Sequence, residues 1–156
     1  LSELRATDLP AFQQWSRSFE PPADAAAYLS QNLSVTSAAL FADLLFPRMV
    51  VVRHCVLLED RYDAATFDQW WESTGGDPVA VERALNHLHL WDVFEPEGDP
   101  EERALEQLAH QVANAWTAHA QRQFPDRAFI SEVTDEYGPT VVLTTRPTGS
   151  SSESDR

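Results

Sequence analysis

No lysine occurs in this sequence: all eleven basic residues are arginine, and they face twenty-five acids, for a net charge of −14. Such a surface repels phosphates, so DNA, RNA and anionic membranes are unsuitable partners, whereas a basic protein is a suitable one. Cysteine is nearly absent. Cys55 stands alone inside an apolar run, which excludes an internal disulfide, fits a reducing, cytoplasmic compartment and predicts a buried, inert thiol. Glycine is scarce too. The five present form neither G-x-G-x-x-G nor a P-loop, which argues against a glycine-lined phosphate cradle. No serine sits in G-x-S-x-G, and the histidines form no H-E-x-x-H. No apolar run approaches the roughly 20 residues of a membrane-spanning helix. On these grounds no catalytic residue, cofactor or metal is assigned.

What the chain does contain is enough apolar material for one core. Hydrophobic residues make up 43% of its 156 positions, which suits a single globular domain over 1–146 without disulfides or metal. The stretch 147–156 is Thr, Gly, Ser, Glu and Asp between its opening Pro and its final Arg, and reads as a disordered polar tail.

Helical spacing, caps and prolines predict six helices. The first covers Asp8 to Phe19 and the second Ala23 to Leu33. The third follows Ser34 and ends at Phe46; it is apolar nearly all round, which predicts burial on most sides, with Asp43 on a narrow polar edge. Asp63 opens the fourth, which Gly75-Gly76 ends, and Asp77-Pro78 opens the fifth, whose apolar stripe runs from Val81 through Leu88 towards Trp91. Asp99-Pro100-Glu101-Glu102 starts the sixth, which runs to about Gln123. Met49 to Leu58 reads as one covered, Val-rich strand, or as two short strands turning at Arg53-His54. Ala128 to Thr134 and Thr140 to Arg146 read as a hairpin. The expected fold is therefore α+β: about six helices on a small, mostly antiparallel sheet of about three strands, the Val-rich strand central beside the C-terminal hairpin.

Two sets of residues are candidates for function. The first is a partner-binding surface. Trp70 and Trp71 point about 100° apart on a helix, so they either divide between core and surface or bury against different neighbours. Trp91 and the acids Asp92, Glu95, Glu97, Asp99 and Glu101 follow, and the helix dipole accounts for Asp99 and Glu101 but not for Glu95 and Glu97. Exposed Trp beside acids suits recognition of a basic protein, as an immunity-type or adaptor domain would need. The second set is a His/carboxylate pocket of a small enzyme or ligand-binding domain, using His54, His87 and His89. In an extended segment His87 and His89 would point the same way and could share a metal; in a helix, the expected state here, they diverge by about 200°. His110 and His119 point to opposite sides of the sixth helix, with His119 expected as a hydrogen-bonded core histidine.

Overall fold

Short polar side chains set most helix starts. The computed structural model describes residues 3–147, so the expected polar tail, apart from Pro147, lies outside the described residues. Among those described, six α-helices form. After a single 3-10 turn at Ala6–Asp8, α1 (Pro10–Ser16) begins on its proline. Asp24 accepts from the Ala27 N–H to start α2 (Ala25–Asn32), and Ser34 accepts from Ser37 to start α3 (Val35–Leu45). Asp63 caps α4 (Ala64–Ser73) and Asp77 caps α5 (Pro78–Leu85) in the same way. These caps satisfy N–H groups that the first helical turn leaves unpaired. The longest helix, α6 (Asp99–Gln123), has its first-turn acids at the positive end of its dipole. None of these helices is long and apolar enough to cross a membrane.

The strands give the α+β architecture expected, but with a different third member. The Val-rich run folds on itself as β1 (Met49–Val52) and β2 (Cys55–Leu58), paired Met49 to Leu58 and Val52 to Cys55. Arg53 and His54 make the two-residue turn, both with positive φ (45° and 70°), as a primed hairpin turn requires. A second antiparallel sheet has the order β3 (His87–His89), β5 (Thr140–Thr145), β4 (Phe129–Thr134). The C-terminal hairpin is thus as expected, while the strand beside it is His87–His89.

β2 is covered on both faces, because alternate residues enter different clusters. Val56 and Leu58 join the main core of Leu88, Leu105, Val112, Trp116, Phe129, Val141 and Leu143, between α6 and the three-stranded sheet. Cys55 and Leu57 join a smaller cluster with Phe67, Val81 and Leu85 under α4 and α5. The two sheets are joined by side chains. Glu82 is fully buried; its Oε1 accepts from the Val56 N–H on β2 (2.8 Å) and its Oε2 from the Thr145 N–H on β5 (2.6 Å). One turn on, Asn86 accepts from the Leu58 N–H (2.9 Å) and donates to the carbonyls of Val56 and Leu143 (2.7 and 3.2 Å). Those two side chains replace the ladder that β2 and β5 do not form.

α3 departs from expectation. None of its residues is buried, and Val35 and Leu40 are 87% and 65% exposed. Only one edge, at Leu44 and Leu45, packs on the core, and the Trp116 indole donates to the Leu44 carbonyl (2.8 Å). All-round apolarity reports compatibility with a nonpolar environment, and the described residues supply that environment along one side. Asp43 is exposed, as its polar edge implied.

Cys55 is buried, and desolvation, with the neighbouring Glu82 charge, pushes its thiol up to about 11. At neutral pH it holds almost no thiolate, the reactive form. Native protein should therefore react with a maleimide at least a hundredfold more slowly than denatured chain, on the order of magnitude set by thiolate fraction and access. Equal rates would show that the β2 environment opens freely.

Candidate functional site

The site begins where α5 stops. A continued helix would carry His87 and His89 to different sides, but Asn86 leaves the helix at φ −89°, ψ 62°, held by its three side-chain hydrogen bonds and by its carbonyl, which accepts from the Leu143 N–H (3.0 Å). The following residues alternate polar and apolar, His87, Leu88, His89, Leu90, and pair with β5 in the register His87 to Val142 and His89 to Thr140. Leu88 faces the core, so both histidines share the other face. The expectation of helical divergence is overturned: the two rings lie side by side, with centroids 5.0 Å apart.

The register places Thr140, Thr134, Val142 and Glu132 on that face as well. With Trp70 of α4, Arg83 of α5 and Glu136 of the hairpin loop, the histidines border a groove of about 310 Å3. A hydrogen bond fixes the His87 tautomer, and a second one holds the His89 ring. His87 Nδ1 lies 3.0 Å from the Ala84 carbonyl, which can only accept, so Nδ1 carries the proton. His89 Nδ1 lies 2.7 Å from Thr140 Oγ1, whose own proton goes to the Gly138 carbonyl (3.1 Å). With the Thr140 proton directed to the Gly138 carbonyl, Thr140 accepts from His89, and each histidine keeps a free Nε2 lone pair. Burial, and then the like charge of His89, hold His87 below the usual histidine range. Arg83 is tied to Glu132 (2.6 Å), which raises the guanidinium and lowers the carboxylate. Thr134 lines the groove, and its buried hydroxyl has no hydrogen-bond partner.

One exposed aromatic ring, Trp70, lines the groove, and two more lie beside His89. Tyr137 stands edge-on to His89 (5.5 Å) and to Trp91 (5.6 Å), and Trp91 lies flat against Gly138. Trp70, Trp91 and Tyr137 are 43%, 48% and 57% exposed. Asp92 and Val93, next to Trp91, are exposed too.

The other candidates separate. Trp71 turns inward, stacking on Phe67 (5.8 Å) with the Arg53 guanidinium over its ring (5.5 Å); the Trp pair divides between core and surface. His54 occupies the β1–β2 turn and does not line the groove, so it drops out of the proposed pocket; its carbonyl accepts from Arg127. Glu95, Glu97 and Asp99 are exposed, whereas Glu101 is half-buried and its carboxylate accepts from the Glu97 N–H (2.8 Å). His119 bonds the Pro47 carbonyl (3.0 Å) as expected, but it is half-buried and lies outside the core.

Sequence reasoning missed Tyr137, Arg83, Thr134, Glu136 and Thr140. The signal for β3 was the period-two alternation from His87 to Leu90, which competed with a helical stripe continuing from Val81. Among the described residues, no group of three or more His, Cys, Asp or Glu side chains is placed to hold a metal ion. Comparisons with family models, curated proteins and solved structures found no match to this chain.

Proposed function

We propose that the chain is a non-enzymatic protein-binding domain, of immunity or adaptor type, that receives a basic segment of its partner on the aromatic-rimmed face around His87 and His89. The observation that carries this is the exposure of three large aromatic rings on one stretch of surface: Trp70, which lines the groove, and Tyr137 and Trp91, which continue outward from His89. Trp and Tyr are the residues on which binding energy concentrates, and their faces attract Arg and Lys. The net charge of −14 and the exposed acids Asp92, Glu95, Glu97 and Asp99 support a basic partner and would steer it. A reducing, cytoplasmic setting is part of the proposal, on the ground that Cys55 is a buried thiol with no other cysteine in the chain.

The test starts with a pull-down from the native host, identified by mass spectrometry. With the partner in hand, Trp91→Ala and Tyr137→Ala should each weaken binding by at least tenfold, on the order of 2 kcal/mol, chiefly through faster dissociation. Reversing Glu95 and Glu97 to Arg should leave folding intact, slow association and flatten its salt dependence. Association that ignores both the reversal and ionic strength would reduce the acidity to a solubility device.

A second reading is favoured by the paired imidazoles: a small-ligand or enzymatic pocket using His87, His89 and the Glu136 carboxylate. There, His87→Ala and His89→Ala would abolish ligand binding while Trp91→Ala would leave it nearly intact.

A further inference from the structure

We propose that His87 and His89 form a two-imidazole binding site for a late first-row transition-metal dication, such as Zn2+ or Cu2+. The proposal does not depend on the partner-binding reading, since it concerns only the floor of the groove.

Three observations carry it. The first is placement. Two histidines separated by one residue on a strand project from the same face, and their ring centroids are 5.0 Å apart. Two imidazoles that share one ion through nitrogens about 2.0–2.1 Å from it, at a near-tetrahedral angle, have ring centres roughly 5 Å apart. The backbone therefore already holds the rings at a chelating separation.

The second is the hydrogen bonding behind the rings. A metal-bound histidine characteristically donates its other N–H to a fixed acceptor, which sets the tautomer and strengthens the ligand. Both histidines do so here: His87 through Nδ1 to the Ala84 carbonyl, and His89 through Nδ1 to Thr140 Oγ1. The Thr140 hydroxyl is itself oriented by the Gly138 carbonyl. Both Nε2 lone pairs, the ligand atoms, are left unspent.

The third is the surrounding groove. It is wide enough, at about 310 Å3, for an ion with its waters, and Glu136 is among the residues that line it. Thr134 adds a buried hydroxyl without a partner. With no three-residue cluster among the described residues, the protein supplies two ligands and the remaining positions fall to water. Imidazole nitrogen selects Zn2+, Cu2+ or Ni2+ over Mg2+ and Ca2+, which prefer oxygen.

Calorimetric titration of the whole chain with Zn2+, in the presence of a large excess of Mg2+ to occupy carboxylates, tests this. One ion per chain is expected, with Cu2+ bound more tightly than Zn2+. His87→Ala and His89→Ala should each lower Zn2+ affinity at least tenfold, and His87→Gln and His89→Gln should do the same where an Ala variant fails to fold. Thr140→Val removes the acceptor behind His89, together with its bond to the Gly138 carbonyl, and should weaken binding several-fold, as loss of a supporting hydrogen bond does. His54→Ala and His110→Ala should change nothing. Loss of all binding in excess Mg2+, affinity indifferent to both His87 and His89, or no saturable binding of either ion would overturn the site and leave adventitious carboxylate binding only.

Discussion

Glu82→Ala should destabilise the chain more than any change at an exposed position, by roughly 2–6 kcal/mol for its two orphaned backbone N–H groups. Glu82 is fully buried, and its carboxylate is the acceptor for Val56 N–H, Thr145 N–H and the Thr145 hydroxyl. Alanine leaves both N–H groups facing a cavity, while the hydroxyl of half-buried Thr145 can turn away, and each buried unsatisfied donor costs about 1–3 kcal/mol. A domain of this size has only about 5–15 kcal/mol in total. The expected readout is a shift of the denaturant midpoint large enough to leave part of the population unfolded in buffer. A midpoint within the noise of wild type would show that water replaces the carboxylate and that the two sheets do not depend on it.

Glu82→Gln separates charge from shape. The amide oxygen serves one strand, while its NH2 meets an N–H of the other, so a smaller loss, about 1–3 kcal/mol, is expected. Its pH dependence has a definite sign. Burial raises Glu82 above its ordinary 4.5, against the lowering effect of the Thr145 and Val56 hydrogen bonds. Between the unfolded and the higher folded value, the native state holds more protons than the unfolded chain, so this group's contribution falls as pH rises through that window. The stability gap between wild type and Glu82→Gln should therefore be widest in acid and narrow from about pH 4.5 upward. A gap that widens towards neutral pH would mean that the hydrogen bonds outweigh desolvation.

Glu82 also shows where sequence and structure part. Three helices were legible because Ser34, Asp63 and Asp77 announce their starts, and each accepts from the first turn as such residues do; Asp24 caps α2 in the same way, one residue inside the helix expected from Ala23. The C-terminal hairpin was legible from β-formers flanking Asp135-Glu136-Tyr137-Gly138-Pro139. The bridge was not. A Glu next to Val81 within a helical stripe looks like the stripe's polar border, and only the approach of two strand edges makes it a shared acceptor. Its one local trace is the i, i+4 spacing of Glu82 and Asn86, which puts both on one side of the turn. The same tertiary demand decided His87–His89. Helical period carried the segment forward on local grounds, but pairing with Val142 and Thr140 offered β5 a second neighbour, and the strand prevailed. The candidate site was therefore half legible: Trp70, Trp91, His87 and His89 were singled out by type, but their convergence depends on that one change of secondary structure.

Gly138→Ala should be the most damaging single-methyl change at the proposed binding face. Gly138 has φ 63°, and a Cβ there would lie 2.4 Å from Trp91 Cδ2 and 2.5 Å from Cε2. Both rings and backbone would have to move. Left-handed backbone alone costs a non-glycine residue roughly 1–2 kcal/mol, and displacing the indole adds to it. Gly75→Ala is the matched control, since Gly75 has φ 66° with nothing within 4 Å of its added Cβ. The excess loss in Gly138→Ala over Gly75→Ala therefore measures the Trp91 contact. We expect an excess of about 1–3 kcal/mol, in the range of overpacking. The consequences should reach the groove, because Trp91 packs on Tyr137, Tyr137 on His89, and the Gly138 carbonyl orients the Thr140 hydroxyl behind that ring. Trp fluorescence should shift to the red, and partner affinity should fall at least as far as in Trp91→Ala. Equal losses in the two glycine variants, with fluorescence unchanged, would mean that Trp91 swings away freely in solution and that no rigid aromatic platform exists to receive a partner.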